Sequence, residues 1–215
     1  VSSLEIALFP IPGSVSLPFE KVPLHIFEPR YRQMIQDCVA AQRRIGVAHT
    51  QGVISQSKVS PTASREEILK SNHATYRAHP VFSAGFAKII ETLPDGRIIA
   101  EIEMDSRYEM LGEIQSLPYK IVGCRLYKDD FEDSDSTLRN DVEKLLALSA
   151  GEHSSELERT LSQPEWRNLS LFEYSFRIYS LIAIDPDLLQ KVLELRSTND
   201  RIQFLKDVLT PQVLN

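Results

Sequence analysis

Pro23-Leu24-His25-Ile26-Phe27-Glu28-Pro29-Arg30-Tyr31-Arg32-Gln33-Met34-Ile35 is the stretch that decides the fold. It reads as a strand running straight into a helix. Leu24 and Ile26 alternate as a half-buried strand requires. Pro29 falls in the first helical turn, where its missing N–H costs nothing, and Glu28 lies beside the positive end of the helix dipole. Tyr31, Met34, Ile35, Cys38 and Gln42 follow at helical spacing as a mostly apolar stripe.

Beyond this block the first half of the chain reads as β-rich. The clearest hairpin runs from Val81 to Met110 and turns at Leu93-Pro94-Asp95-Gly96. There Pro94 presets φ, Asp95 bonds back to the backbone, and Gly96 takes the positive-φ position. After the turn Ile98, Ala100, Ile102 and Met104 point one way, and Arg97, Glu101 and Glu103 the other. A further strand spans Pro118 to Tyr127. Several short strands around one buried face predict a closed or nearly closed barrel.

The pattern fails between Gln51 and Pro80. Ser55 to Ser64 is polar and turn-like, and Arg65-Glu66-Glu67-Ile68-Leu69-Lys70 predicts a short helix. A loop of this length is often functional.

Asp129, Asp130, Glu132, Asp133 and Asp135 form an acidic link, read as a solvated boundary; it lacks the spaced ligands and glycine of a calcium loop. Past it the chain reads as helical. Leu138, Val142 and Leu145 make a stripe. Ser170-x-x-Glu173 is a capping box opening an apolar segment from Leu171 to Ile182. Asp185-Pro186 and Ser197-x-x-Asp200 are two more helix starts. Trp166, Phe172, Tyr174, Phe176 and Tyr179 are expected in the core of this helical part.

The chain has 215 residues, 42% of them hydrophobic, and a net charge of −6. An acidic chain repels phosphate backbones, which disfavours nucleic acid as a partner. No apolar run approaches the ~18 residues of a membrane span. Val1-Ser2-Ser3-Leu4-Glu5 lacks a basic signal-peptide start, and Cys38 and Cys124, far apart, read as buried small hydrophobes. The expected compartment is the cytoplasm.

Motifs that would carry chemistry are not found in this sequence. A Walker A loop needs Gly-Lys, and no glycine here precedes lysine. Gly-x-Gly-x-x-Gly, His-Glu-x-x-His and Gly-x-Ser-x-Gly are likewise not found. His49, His73 and His79 flank the irregular region and His25 lies on a nearby strand, without metal-ligand spacing. The reading is therefore no catalytic residue, no metal and no cofactor.

The opening block closely resembles the signature near the start of the Lon N-terminal domain, the substrate-engaging module of ATP-dependent Lon proteases. Glu5-Ile6-Ala7-Leu8-Phe9-Pro10 and Arg44-Ile45-Gly46-Val47-Ala48 resemble that family's flanking strands. Pro94 to Arg97, Arg107-Tyr108-Glu109-Met110, Leu117-Pro118-Tyr119-Lys120, Gln190 to Glu194 and Arg201 to Leu205 recur in its order. The resemblance implies an α+β fold: a PUA-like Lon N-terminal β-barrel over residues 1–127, then a helical bundle over 128–215. It implies a non-catalytic polypeptide-binding module that engages a protein partner or exposed apolar segments. With 215 residues the chain is expected to stand alone, without ATPase or Ser-Lys protease modules. The alternatives are a hydrolase with an unrecognised site and a PUA-like RNA-binding module.

Within the family-like motifs, Glu28, Pro29, Arg30, Tyr31, Arg107 and Tyr119 are read as structural. Glu28 is expected to bond free backbone N–H groups at the strand-to-helix junction, and an arginine to tie that junction down. The residues that contact polypeptide are left open. One departure stands out: the family usually has glycine three residues before the arginine matched by Arg107, and here that position is Met104.

Overall fold

The structure is a computed structural model that describes residues 4–55, 75–130 and 135–210. Its strands are β1 (Leu4–Pro10), β2 (Lys21–Ile26), β3 (Ile45–Ala48), β4 (Thr50–Ser55), β5 (Thr75–Ala78), β6 (Val81–Thr92), β7 (Ile98–Gln115) and β8 (Lys120–Leu126). The six-stranded sheet runs β2-β7-β6-β3-β1-β8, and a further β7–β8 pairing closes five of these strands into a ring. The β1–β3 pair is parallel and the other pairs of the ring are antiparallel. β4 and β5 form a separate two-stranded ladder. The segment read as a short helix, Arg65 to Lys70, lies outside the described residues, as do His73, Glu132 and Asp133.

The long strand β7 serves both the ring and its outer layer, and one bulge makes that possible. Ala84 pairs with Ser106 and the adjacent Gly85 with Met104, so Asp105 is an extra residue on β7. A bulge reverses which side chains face each side. Before it Ile98, Ala100, Ile102 and Met104 pack with helix α1 (Pro29–Ala40), and after it Tyr108 joins the ring's interior. That interior holds Ile6, Leu8, Phe82, Ala84, Val122 and Cys124, drawn from β1, β6 and β8. Asp105 itself is fixed by Arg44 at 2.8 Å and by the Tyr108 hydroxyl at 3.1 Å.

The bulge also accounts for Met104. A Cβ on Gly85 would lie 1.7 Å from the Glu103 carbonyl oxygen and 2.8 Å from the Met104 Cα. The close backbone approach is present, and glycine on the neighbouring strand supplies it. Met104 is thereby free to fill the core, where it is buried.

Helix α1 buries Tyr31, Met34, Ile35 and Cys38, as its stripe predicts. Gln42 does not continue that stripe. Its φ of 50° places it just past the helix in the left-handed conformation that ends many helices. At the Pro94 turn Gly96 has φ 82°, and its N–H donates to the Leu93 carbonyl at 2.9 Å.

The chain divides into two compact units, residues 1–127 with 185–193 and residues 128–184 with 194–215. The second contains α2 (Ser136–Ala150), α3 (Ser154–Leu161), α4 (Pro164–Arg167) and α5 (Leu171–Arg177). The apolar segment from Leu171 changes after Arg177 into a 3₁₀ turn, Ile178–Leu181, so it is shorter as an α-helix than its composition suggests. Next come α6 (Pro186–Glu194), which groups almost wholly with the barrel unit, and α7 (Thr198–Leu209) of the second unit. The uninterrupted 128–215 division read from the sequence thus differs by one helix. Ser170 and Glu173 form the full capping box, and the Ser197 side chain caps α7 through the Asp200 N–H.

The centre of the second unit is charged. Arg201 is fully buried, meets Asp129 through two bonds of 3.1 and 2.5 Å, and lies 4.1 Å from the centre of the Phe176 ring. Asp130 pairs with Arg196 at 2.8 Å, and Asp135 caps α2. Within the described part of the acidic link Asp129 is thus built into the unit, whereas Asp130 and Asp135 are exposed, as a solvated boundary requires.

Candidate functional site

The strand-to-helix junction is built from main chain and one ion pair. The Glu28 carbonyl accepts from the N–H groups of Tyr31 and Arg32 at 3.1 and 3.0 Å. Its side chain makes no helix cap; it is held instead by Arg30, whose Nε and Nη2 reach one carboxylate oxygen at 3.0 and 2.9 Å. Both side chains are 12% exposed. Glu28 thus differs from the backbone cap the sequence suggests: its carboxylate forms a charge-assisted pair with Arg30 instead.

Held this way, Arg30 lies 4.5 Å from the centre of the Tyr31 ring, and Phe9 lies against the same ring, 4.2 Å between centroids. Tyr119 is anchored independently: its hydroxyl donates to Asp37 at 3.0 Å and its carbonyl accepts from the Gln115 side chain at 2.9 Å. Arg30, Tyr31 and Tyr119 come together along one groove of about 380 Å³, with Pro10, Tyr76 and Leu117. Burial pushes both phenols up to about 12; the Asp37 bond adds to the rise at Tyr119. Two tyrosines thus line the groove beside Arg30.

An adjoining groove of about 310 Å³ shares Leu8, Glu113 and Lys120 and continues along Met110, Leu111 and Gly112. Glu113 and Lys120 form an ion pair of 2.9 Å across the β7–β8 hairpin, and the lysine's hydrogen bond lowers the Glu113 carboxyl below its usual range. Leu111, Ile114 and Leu117 stand 57%, 52% and 80% exposed on the same hairpin.

Arg107 is not part of this groove. It is buried, stacks over Tyr127 at 5.1 Å, and donates to the Leu193 carbonyl at the end of α6. Beside that helix, His49 bonds Asp187 through Nε2 at 3.1 Å and stacks on His79 with 5.3 Å between rings. His25 instead meets Arg97 at 3.0 Å. Among the described residues no three histidine, cysteine, aspartate or glutamate side chains are grouped to hold a metal ion. Burial drives the Cys38 and Cys124 thiols up to about 11 and about 12, which makes them poor nucleophiles at neutral pH.

A model of the ATP-dependent protease La (LON) substrate-binding domain matches residues 5–210. The chain belongs to the Lon substrate-binding domain family. Lon protease 1 of Herpetosiphon aurantiacus is 24% identical over 213 residues, which cover 92% of this chain and 24% of that protein. The chain thus spans about a quarter of the length of that curated relative. Its fold is similar to the N-terminal domain of the Mycobacterium avium complex Lon protease, with a TM-score of 0.68 and 12% identity, covering 97% of this chain and 100% of the other. A Lon N-terminal domain protein from Xanthomonas campestris gives a TM-score of 0.59 at 16% identity, covering 94% and 96%. These likenesses bear out the α+β fold read from the opening block.

The exposure of these aliphatic side chains was not legible in the sequence. Leu111 and Ile114 sit in a strand whose alternation would bury one of two neighbours. Only the observed register reveals that both are extra residues in the ladder.

Proposed function

We propose that this Lon-type domain is a non-catalytic module that recognises unfolded or extended polypeptide, working in the cytoplasm without a cofactor. The match of the substrate-binding family model over residues 5–210 carries this reading. The groove beside Tyr31 and Tyr119 agrees with it in chemistry, since apolar walls with a few fixed polar groups are what ligand clefts use. Glu28, Pro29, Arg30 and Arg107 act in this reading as the frame, and Tyr31 and Tyr119 as both frame and wall.

The RNA-binding alternative is disfavoured by charge placement. Affinity for nucleic acid comes largely from cations that neutralise phosphates. Here Arg30, Arg43, Arg44, Arg97, Lys120 and Arg125 each sit within 4 Å of a carboxylate. The hydrolase alternative finds little support at His49, which pairs with Asp187, an aspartate 81% exposed, and not with a hydroxyl or thiol among the described residues.

The test compares one model protein in native and in reduced, unfolded form. Binding of the unfolded form alone supports the reading. Equal binding of both forms, or of neither, contradicts it.

A further inference from the structure

We infer that helix α3 is a hinged lid, which swings as one piece away from the C-terminal part of α2. This stands on the geometry of the second unit alone and does not rest on the polypeptide reading.

Helix α3 is held in place by very little. Of its eight residues only Leu161 is buried, and Leu157 is partly buried. The side-chain bonds of Thr160, and of Ser162 and Gln163 just past the helix, return to the carbonyls of Glu156, Glu158 and Arg159 in α3 itself. Among the described residues no side-chain hydrogen bond or ion pair joins α3 to another element. Its neighbours are fastened differently. Arg139 of α2 reaches Glu143 at 2.8 Å and the Trp166 carbonyl at 2.9 Å, and Lys206 of α7 reaches Asp141 of α2 at 2.7 Å. Trp166 is buried, with the Arg177 guanidinium 5.3 Å from its ring centre.

Open grooves flank α3 on both sides. One of about 950 Å³ is lined by Ser154, Glu158 and Leu161 together with Ala147 and Leu148 of α2. Another of about 360 Å³ is lined by Glu156, Leu157 and Thr160 together with Leu146 and Ala150 of α2. A side chain beside a void has no partner atoms on that side, so α3 gains little from packing there.

Both ends of the helix have a place to bend. Gly151 ends α2 at φ 53° and ψ −117°, a conformation that favours glycine. Gln163 is extended at φ −66° and ψ 148° before Pro164. The buried Leu146 and Trp166 lie beyond these two residues as fixed points. Swinging out between them, α3 uncovers Leu146 to Ala150 and merges the two grooves into one trough. Its closed state depends mainly on Leu161. Burial of one leucine favours closure by roughly ten- to a hundredfold. That is far short of the roughly thousandfold or more that keeps a whole domain folded.

Hydrogen exchange of the full chain, followed by mass spectrometry with and without low urea, tests this. The amides of residues 155–162 should exchange together through one opening, at least a hundredfold faster than those around Val142 in α2 and Ile202 in α7. That opening should depend on urea less steeply than global unfolding does. Leu161→Ala should speed α3 exchange at least tenfold while α2 and α7 change less than twofold. If the α3 amides exchange only with the whole unit, or one by one without urea dependence, α3 is not a lid. Equal acceleration of all three helices by Leu161→Ala would overturn the inference as well.

Discussion

Arg107 donates to the main-chain carbonyl of Leu193 at 2.6 Å, joining a buried strand position to the last turn of a helix 86 residues away. The final carbonyls of a helix have no partner within it and carry its negative dipole end. A guanidinium satisfies both, and Gln190 adds a bond from the same helix to the Val81 carbonyl at 3.0 Å. This is how helix α6 belongs to the barrel unit although its sequence neighbours do not.

Arg107→Met should therefore destabilise the protein without altering its binding surface. Losing a buried charged hydrogen bond costs about 1.5–3 kcal/mol. The expected result is a lower melting temperature with unchanged affinity for unfolded polypeptide in the folded fraction. An unchanged melt, or selective loss of binding, would move Arg107 from frame to contact surface.

Glu28→Ala should behave similarly. It leaves Arg30 largely buried without its carboxylate, at a cost of about 1.5–3 kcal/mol. Because Arg30 stacks on Tyr31, a modest loosening of the groove should accompany the lower melt. Glu28→Gln should recover part of the stability, since an amide oxygen can still accept. Abolished binding with an intact melting curve would assign Glu28 to the ligand instead.

Much of this arrangement was legible in the sequence because local chemistry dictated it. Pro29, Ser170 with Glu173, Pro94 to Gly96 and Ser197 act within three or four residues, so their roles do not depend on distant contacts. The bulges at Asp105, Leu111 and Ile114 were not legible, since register is set between paired strands and not by the alternation within one. The same holds for Asp129, whose partner Arg201 lies 72 residues away. The grooves and the exposed hairpin side chains both depend on such pairings, which is why the motif residues revealed the strand-to-helix junction more clearly than the surface around it.

Gln42→Gly should stabilise the protein. Gln42 sits at φ 50° after helix α1, a conformation that glycine adopts without steric cost. A gain of about 0.5–1 kcal/mol is expected, against the loss of the Gln42 side-chain bond to Val39 at an exposed position. For a chain of this size that is a rise of roughly one to four degrees in Tm. A lower Tm would show that the side-chain bond outweighs the backbone strain.

Tyr31 and Tyr119 should make the protein sensitive to alkali. Both phenols are held at about 12 in the folded state, against an ordinary value of 10.0. Between those values the unfolded chain releases protons that the folded chain keeps. Stability is thus fully present below pH ~10 and lost as pH rises toward ~12. Absorbance titration at 295 nm should show these two tyrosines ionising only as circular dichroism reports unfolding. Early, reversible ionisation of all seven tyrosines in the folded protein would contradict the burial described.

The proposed recognition of unfolded polypeptide is tested most directly by titration of a reduced, unfolded model protein at low and high salt. A micromolar Kd, roughly −8 kcal/mol, is expected for such a transient contact. It should change little with salt, because the ion pairs around the groove are internal to the domain. An affinity that collapses in high salt, or tighter binding to RNA than to unfolded protein, would contradict the account.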